Sequence, residues 1–287
     1  MPSPQPGHRT ARTAVAALLL LSAVAYTAWV LEVVLSTGLD PVQAYISELA
    51  AEDQPLGGLF RATDLVAGLC LLAAAGTALV GGLAAGPVTG EGAGPTAGRA
   101  DRSVTRRTGG ARHRRRRWAV VGWSALALFG AATAADSRLP LSCTPTSDEM
   151  CAARETAGLV PATHAAHAVT SSLAVLGALT ALVSLTVAAR RYGWWPPVRR
   201  FGPWLLGAEL LATGWSLAAI AAFQAGRGTW ALGAGQRLQV LLVALWLAVL
   251  AVGVARSTRR NEPDGRDGPA GPGRRHPAEP LPERRTA

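Results

Sequence analysis

Two histidines three residues apart, His164 and His167, open an apolar stretch in PATHAAHAVTSS, and Ser171 continues their helix face. Imidazoles placed this way can bind a ligand, pass a proton or hold a metal ion. The groups that could meet them are Asp136 at the end of the preceding apolar stretch, Glu32 near the end of the first, and Arg61 with Asp64 opening the second. Glu48 in AYISELAAEDQP and Arg237 at the start of the last stretch complete the set. Ionisable groups near membrane depth are costly to bury, so they face a bundle interior or a water-filled cavity.

Three chemistries fit these residues. In a structural network Arg61 pairs with Asp64, Arg237 answers Glu48 or Asp136, and the histidines bond to loop carbonyls. In a binding site the cluster is a polar pocket for a small ligand, ion, proton or lipid headgroup. In a metal-dependent hydrolase His164, His167 and Asp136 or Glu48 are ligands, and a remaining carboxylate is the general base. The last is the weakest, because H-E-x-x-H spaces its histidines four apart with a glutamate between them, whereas this pair encloses two alanines. The chain also lacks a G-x-x-x-x-G-K-[ST] phosphate loop and a G-x-S-x-G nucleophile elbow. A non-enzymatic role with no cofactor is the expectation.

Two further features bear on chemistry. Cys143 and Cys151 lie eight residues apart in SRLPLSCTPTSDEMC, a spacing without C-x-x-C or a neighbouring histidine, which predicts a disulfide in an oxidising compartment. Such a bridge would hold this connection as a lid over the bundle mouth. Cys70 reads as a small core residue. Glu209 is a lone carboxylate in the inner half of a later apolar stretch, away from the other groups, with Thr213 and Ser216 on its face. It reads as a helix-to-helix hydrogen bond before a proton-relay step.

The elements that must position these groups are six apolar stretches, roughly residues 14–35, 56–85, 118–135, 161–189, 203–224 and 238–255. Each can cross a hydrocarbon core of about 30 Å as a helix. Half of the chain's residues are apolar (49%) despite its arginine-rich segments. The first stretch exceeds the apolar core of a signal peptide and reads as a retained span. Abundant Ala and Gly allow close helix approach, so the prediction is an all-α integral membrane bundle of six transmembrane helices.

Arginine placement gives the orientation. Of the 28 basic residues, all arginine, two precede residue 14, nine lie in 85–117, four in 189–202 and eight from Arg256 onward. Basic flanks stay inside during insertion, which predicts a multi-pass plasma-membrane protein with both termini cytoplasmic. Trp118, Trp194, Trp195 and Trp204 then fall at inner ends and Trp230 at an outer one, as an aromatic belt. The formal charge of +10 is divided among short segments, which argues for lipid headgroups and against nucleic acid as a partner. Protein partners leave no signature. A chain without lysine, rich in Ala, Arg, Gly and Pro, suggests a high-GC bacterium, an actinobacterium. The tail 1–13 reads as cytoplasmic, and the basic loop 86–117 and the tail 256–287 as disordered cytoplasmic segments.

With these residues in place, the chain resembles the bacterial six-span membrane family catalogued as domain of unknown function 998. The resemblance rests on Tyr45-Ile46-Ser47-Glu48-Leu49-Ala50, on Asp136 with Pro140 and the Cys143–Cys151 segment, on the His164 and His167 face, and on Gln236-Arg237. It covers roughly residues 14–255. Members commonly carry glycine where this chain has Ala50, so the turn there is expected to differ. The family is broadly similar to the eukaryotic six-span Frag1, DRAM and Sfk1 group, a fold-level likeness. It implies a six-helix membrane protein whose shared residues gather at the outer face, with no reaction attached.

Overall fold

A computed structural model describes the backbone of residues 6–82 and 102–259, and the side chains of 9–82 and 117–257. All regular elements among the described residues are helical: α1 (Pro6–Tyr26), α2 (Gly57–Val80), α3 (Arg102–Asp136), the short α4 (Glu149–Thr156), α5 (Ala162–Tyr192), α6 (Pro196–Gln224) and α7 (Leu232–Arg259). Two 3-10 turns, Ala28–Val33 and Ile46–Ala50, lie in the first connection. Six of the helices are long and apolar enough to cross a membrane.

Local chemistry explains the ends. Thr27 turns its hydroxyl back onto the carbonyls of Ala23 and Val24, at 3.1 and 2.9 Å, where α1 tightens into the 3-10 turn that carries Glu32. α5 stops at Gly193, whose φ of 71° is left-handed and disfavoured for a residue with a Cβ. α6 starts on Pro196 and Pro197, whose missing amides are not needed in a first turn. The Asp148 carboxylate caps α4 by accepting from the Met150 amide at 2.9 Å.

The six long helices form a closed ring in sequence order. Each packs on its neighbour in the chain, with α3 followed by α5, and α7 returns to α1. Arg12 donates to the Ser257 carbonyl at 3.2 Å and Arg191 lies over Trp118, so those helix ends share one end of the bundle. The disulfide and both 3-10 turns occupy the other. Close approach is built with glycine: a Cβ on Gly68 of α2 would lie 2.6 Å from the Gly130 carbonyl of α3, and one on Gly177 of α5 would lie 2.7 Å from the Phe129 amide. The arginine-end half of the ring is filled by Trp123, Trp246, Leu185, Leu247 and Leu250, all fully buried.

The structure moves several expected boundaries. α6 begins at Pro196 and runs through Pro203, because neighbouring helices tolerate a proline inside a membrane helix. α7 begins at Leu232, which puts Arg237 inside the helix rather than at its mouth. Trp194 and Trp195 are core residues, Trp195 meeting Trp123 edge-to-face at 6.3 Å, while Trp204 and Trp230 are exposed. The helix α3 starts at Arg102, within the stretch 86–117 read as disordered; arginine is a good helix former, and extending an existing helix needs no new nucleus. α1 likewise starts at Pro6 in the first tail, and α7 continues to Arg259. The remainder of the basic loop, residues 86–101, the last residues of the expected second span, 83–85, and the tail from 260 lie outside the described residues.

Candidate functional site

Residues 40–56 fold across the mouth of the ring as a lid pinned from three sides. From α7, the Ala234 amide donates to the Val42 carbonyl at 3.1 Å, and the Gln236 side chain accepts from the Ile46 amide at 2.9 Å. From α2, Arg61 donates to the carbonyls of Ala50 and Ala51 at 2.7 and 3.2 Å. From the disulfide loop, the Leu141 carbonyl accepts from the Glu52 amide at 2.9 Å, and Glu48 accepts from the Thr146 amide at 2.7 Å and from its hydroxyl.

Arg237 is the deepest pin. It donates from Nε and Nη2 to the two oxygens of Glu32 at 2.6 and 2.7 Å, and from Nη1 to the carbonyls of Ala44 and Gly233 at 3.0 and 3.2 Å. Both partners are buried, and the fork-to-fork geometry satisfies the charges that burial would otherwise strand.

Glu48 is also fully buried. Burial pushes its carboxyl above the ordinary range, the Thr146 hydrogen bonds oppose that, and the nearby carboxylates Asp53 and Glu155 add to the rise. A carboxyl whose folded pKa lies above its unfolded value stabilises the fold below the unfolded pKa, and that contribution is lost as pH rises through the window up to the folded pKa. Glu48→Gln, which can still accept from the Thr146 amide, should therefore leave stability at neutral pH within about 1 kcal/mol of wild type and flatten its acid-side pH dependence. Thermal melts across pH 4–8 check this; a variant that loses stability at neutral pH while keeping the wild-type slope contradicts it.

Beneath the lid lies a cavity of about 170 Å³. All six long helices, or the 3-10 turn continuing α1, contribute to its wall: Tyr26 and Trp29 from the first span, Thr63 and Asp64 from α2, Thr133 and Asp136 from α3, His167 and Ser171 from α5, Glu209 from α6, and Gln236 and Gln239 from α7. It extends from the lid residues Ile46, Ser47, Leu49 and Ala50 to mid-bundle positions such as Ala178 and Glu209. Three buried polar atoms of its wall have no hydrogen-bond partner: Trp29 Nε1, Thr133 Oγ1 and Glu209 Oε2.

His167 and Asp136 do meet, Nδ1 to Oδ1 at 3.1 Å. The same Nδ1 faces the Leu139 carbonyl at 3.0 Å, so two acceptors hold the proton on that nitrogen. Asp136 also accepts from the Ser171 hydroxyl at 2.6 Å and from the Thr170 hydroxyl. His164 does not join them: its Nδ1 accepts from the Ser142 amide at 3.1 Å, which fixes a neutral ring with the proton on Nε2. The alternative metal set of His164, His167 and Asp136 is thereby broken up. Among the described residues no three His, Cys, Asp or Glu side chains gather to hold an ion.

Other expected partners change too. Arg237 answers Glu32 rather than Glu48 or Asp136, because α1 and α7 are neighbours in the closed ring. Arg61 serves lid carbonyls rather than Asp64, and the Asp64 carboxylate faces the cavity. Glu209, expected apart from the other groups, opens into the same cavity, since the early start of α6 places it midway along the helix. It accepts from Thr213 at 3.5 Å, and Gln239 donates to Thr213 at 3.0 Å. Trp29, Thr133 and Gln239 escaped the sequence reading; polar or indole groups inside otherwise apolar spans were the available signal. The expected bridge is present: Cys143 and Cys151 are disulfide-bonded, and Cys70 is buried with a free thiol.

The pattern of lid, disulfide loop and α7 pins can be compared with known families. The family described as "Protein of unknown function (DUF998)" matches residues 13–98 and 105–253. The chain belongs to the DUF998 family. The match takes in every helix that lines the cavity. No curated protein and no solved structure matches, and nothing in these comparisons links the chain to the Frag1, DRAM and Sfk1 group. In this DUF998 protein the Tyr45–Ala50 and Gln236-Arg237 motifs are the lid and its α7 pins.

Proposed function

We propose that this DUF998 protein binds a small solute in the lidded cavity, as a non-enzymatic ligand- or ion-handling protein of the plasma membrane. The disulfide end faces outward and the arginine-rich end, with both termini, faces the cytoplasm. The arginine asymmetry and the disulfide support that orientation. The observation that carries the binding reading is the set of unpartnered polar atoms, Trp29 Nε1, Thr133 Oγ1 and Glu209 Oε2, turned onto a cavity large enough for a guest. Buried polar atoms in folded proteins nearly always find a partner; of the eight without one among the described residues, these three belong to the wall of one void, where an occupant would supply it.

Thiol labelling tests the cavity. In a Cys70→Ala background, a cysteine at Thr133 should react with 2-aminoethyl methanethiosulfonate but not with a maleimide-polyethylene glycol. One at Ser184, which is buried outside the cavity wall, should react with neither. A folded Thr133 variant inert to the small reagent would overturn the reading.

A further inference from the structure

We propose that the occupant of the cavity is a small organic ammonium cation, a ligand class that rests on the solute-binding reading above. The charge inventory of the wall carries it. Three carboxylates line the cavity, Asp64, Asp136 and Glu209, against one basic side chain, His167. That histidine is already engaged by Asp136 and the Leu139 carbonyl. Of the arginines at the same end, Arg138, Arg154 and Arg227 are exposed in the connections, and the two on helices that line the cavity are diverted from it, Arg61 to the lid carbonyls and Arg237 to Glu32.

The surplus is therefore acidic, and only Asp136 is fully answered, by His167, Ser171 and Thr170. Asp64 lines the cavity beside Asp136 with no hydrogen bond or ion pair among the described residues. Glu209 is 1% exposed, yet its Oε2 is unpartnered and the residue lines the cavity. An isolated buried carboxylate is tolerated when a cation or a hydrogen-bond donor reaches it. An anionic guest, such as a phosphate, would meet repulsion from the same wall.

The remaining wall distinguishes an organic cation from a bare metal ion. No three ligating side chains converge among the described residues. Aromatic rings of Tyr26, Trp29, Phe60 and Phe129 also face the void, surfaces that attract an ammonium and its alkyl stem. The cavity, about 170 Å³, compares with the roughly 150 Å³ that admits a benzene-sized guest, so a molecule of about seven heavy atoms fits. An ammonium supplies three N–H donors for the carboxylates and the Thr133 hydroxyl, and a hydroxyl at the other end can accept from Trp29 Nε1.

Three probes of equal length separate charge from shape: 5-aminopentan-1-ol, pentane-1,5-diol and 5-hydroxypentanoate, titrated calorimetrically into the full-length protein in mild detergent. The ammonium should bind, with the diol and the carboxylate weaker by tenfold or more. Asp64→Asn should weaken the ammonium by about tenfold or more, while Glu149→Gln on the exposed α4 leaves it unchanged. Glu209→Gln is the second variant should the first fail to fold. Equal binding of ammonium and diol, insensitive to both substitutions, would overturn the cation while leaving solute binding intact. Tightest binding of the carboxylate would do the same. Binding of none of the three to folded protein also overturns the cation, and the Thr133 labelling then decides separately whether the cavity is a site.

Discussion

Arg237→Met should lower the free energy of unfolding by about 3 to 5 kcal/mol, the largest effect of any single substitution in the lid region. The substitution leaves the Glu32 carboxylate buried without a counter-charge, and it strips a donor from the Ala44 carbonyl that holds the lid to α7. Removing both charges together is a different matter. Glu32→Leu with Arg237→Met replaces an ion pair by apolar groups of similar volume, which elsewhere is neutral or even stabilising, so the double variant should recover most of the loss. Melting temperatures of the two single variants and the double in one detergent read this directly. If the double variant is as unstable as Arg237→Met alone, the lid carbonyls, not the ion pair, dominate at this site.

The second large effect concerns the bridge. Cys143 and Cys151 close an eight-residue loop, for which loop-closure entropy gives about 2.5 kcal/mol of stabilisation. Three lid contacts hang on or beside that loop, Leu141 with Glu52, Thr144 with Asp53 and Thr146 with Glu48. Cys143→Ser/Cys151→Ser should therefore melt several degrees below wild type, and dithiothreitol should lower the wild-type melt to the same point without moving the variant. Limited proteolysis should cut first within residues 138–160. A reduced protein that melts with the oxidised one would show that the loop is held by its other contacts alone.

The spans were legible in the sequence because they need only length and apolar composition, and the disulfide because eight-residue spacing leaves few alternatives in one connection. Asp136 ends α3 and His167 lies in the second turn of α5, at the two ends of one connection, which made their meeting a candidate that spacing alone left open. What could not be read was pairing between elements distant in the chain. Glu32 and Arg237 are 205 residues apart, and only the closure of the ring sets α7 beside α1. Glu209 was misplaced because Pro203 looked like a helix start, while the true start lay at Pro196 and Pro197. The lid was expected at the disulfide connection, whereas residues 40–56 form it, because their backbone is held by groups from α2 and α7 and by the disulfide loop rather than by any periodicity of its own.

Solute binding is tested most directly by native mass spectrometry of the full-length protein released from mild detergent, beside Ala178→Phe, which fills the floor of the cavity. Wild type should carry a small-molecule mass increment that survives gentle activation and is absent from a folded Ala178→Phe protein. A folded wild type that flies without any increment, or an increment equally present in the filled variant, would contradict a solute in the cavity.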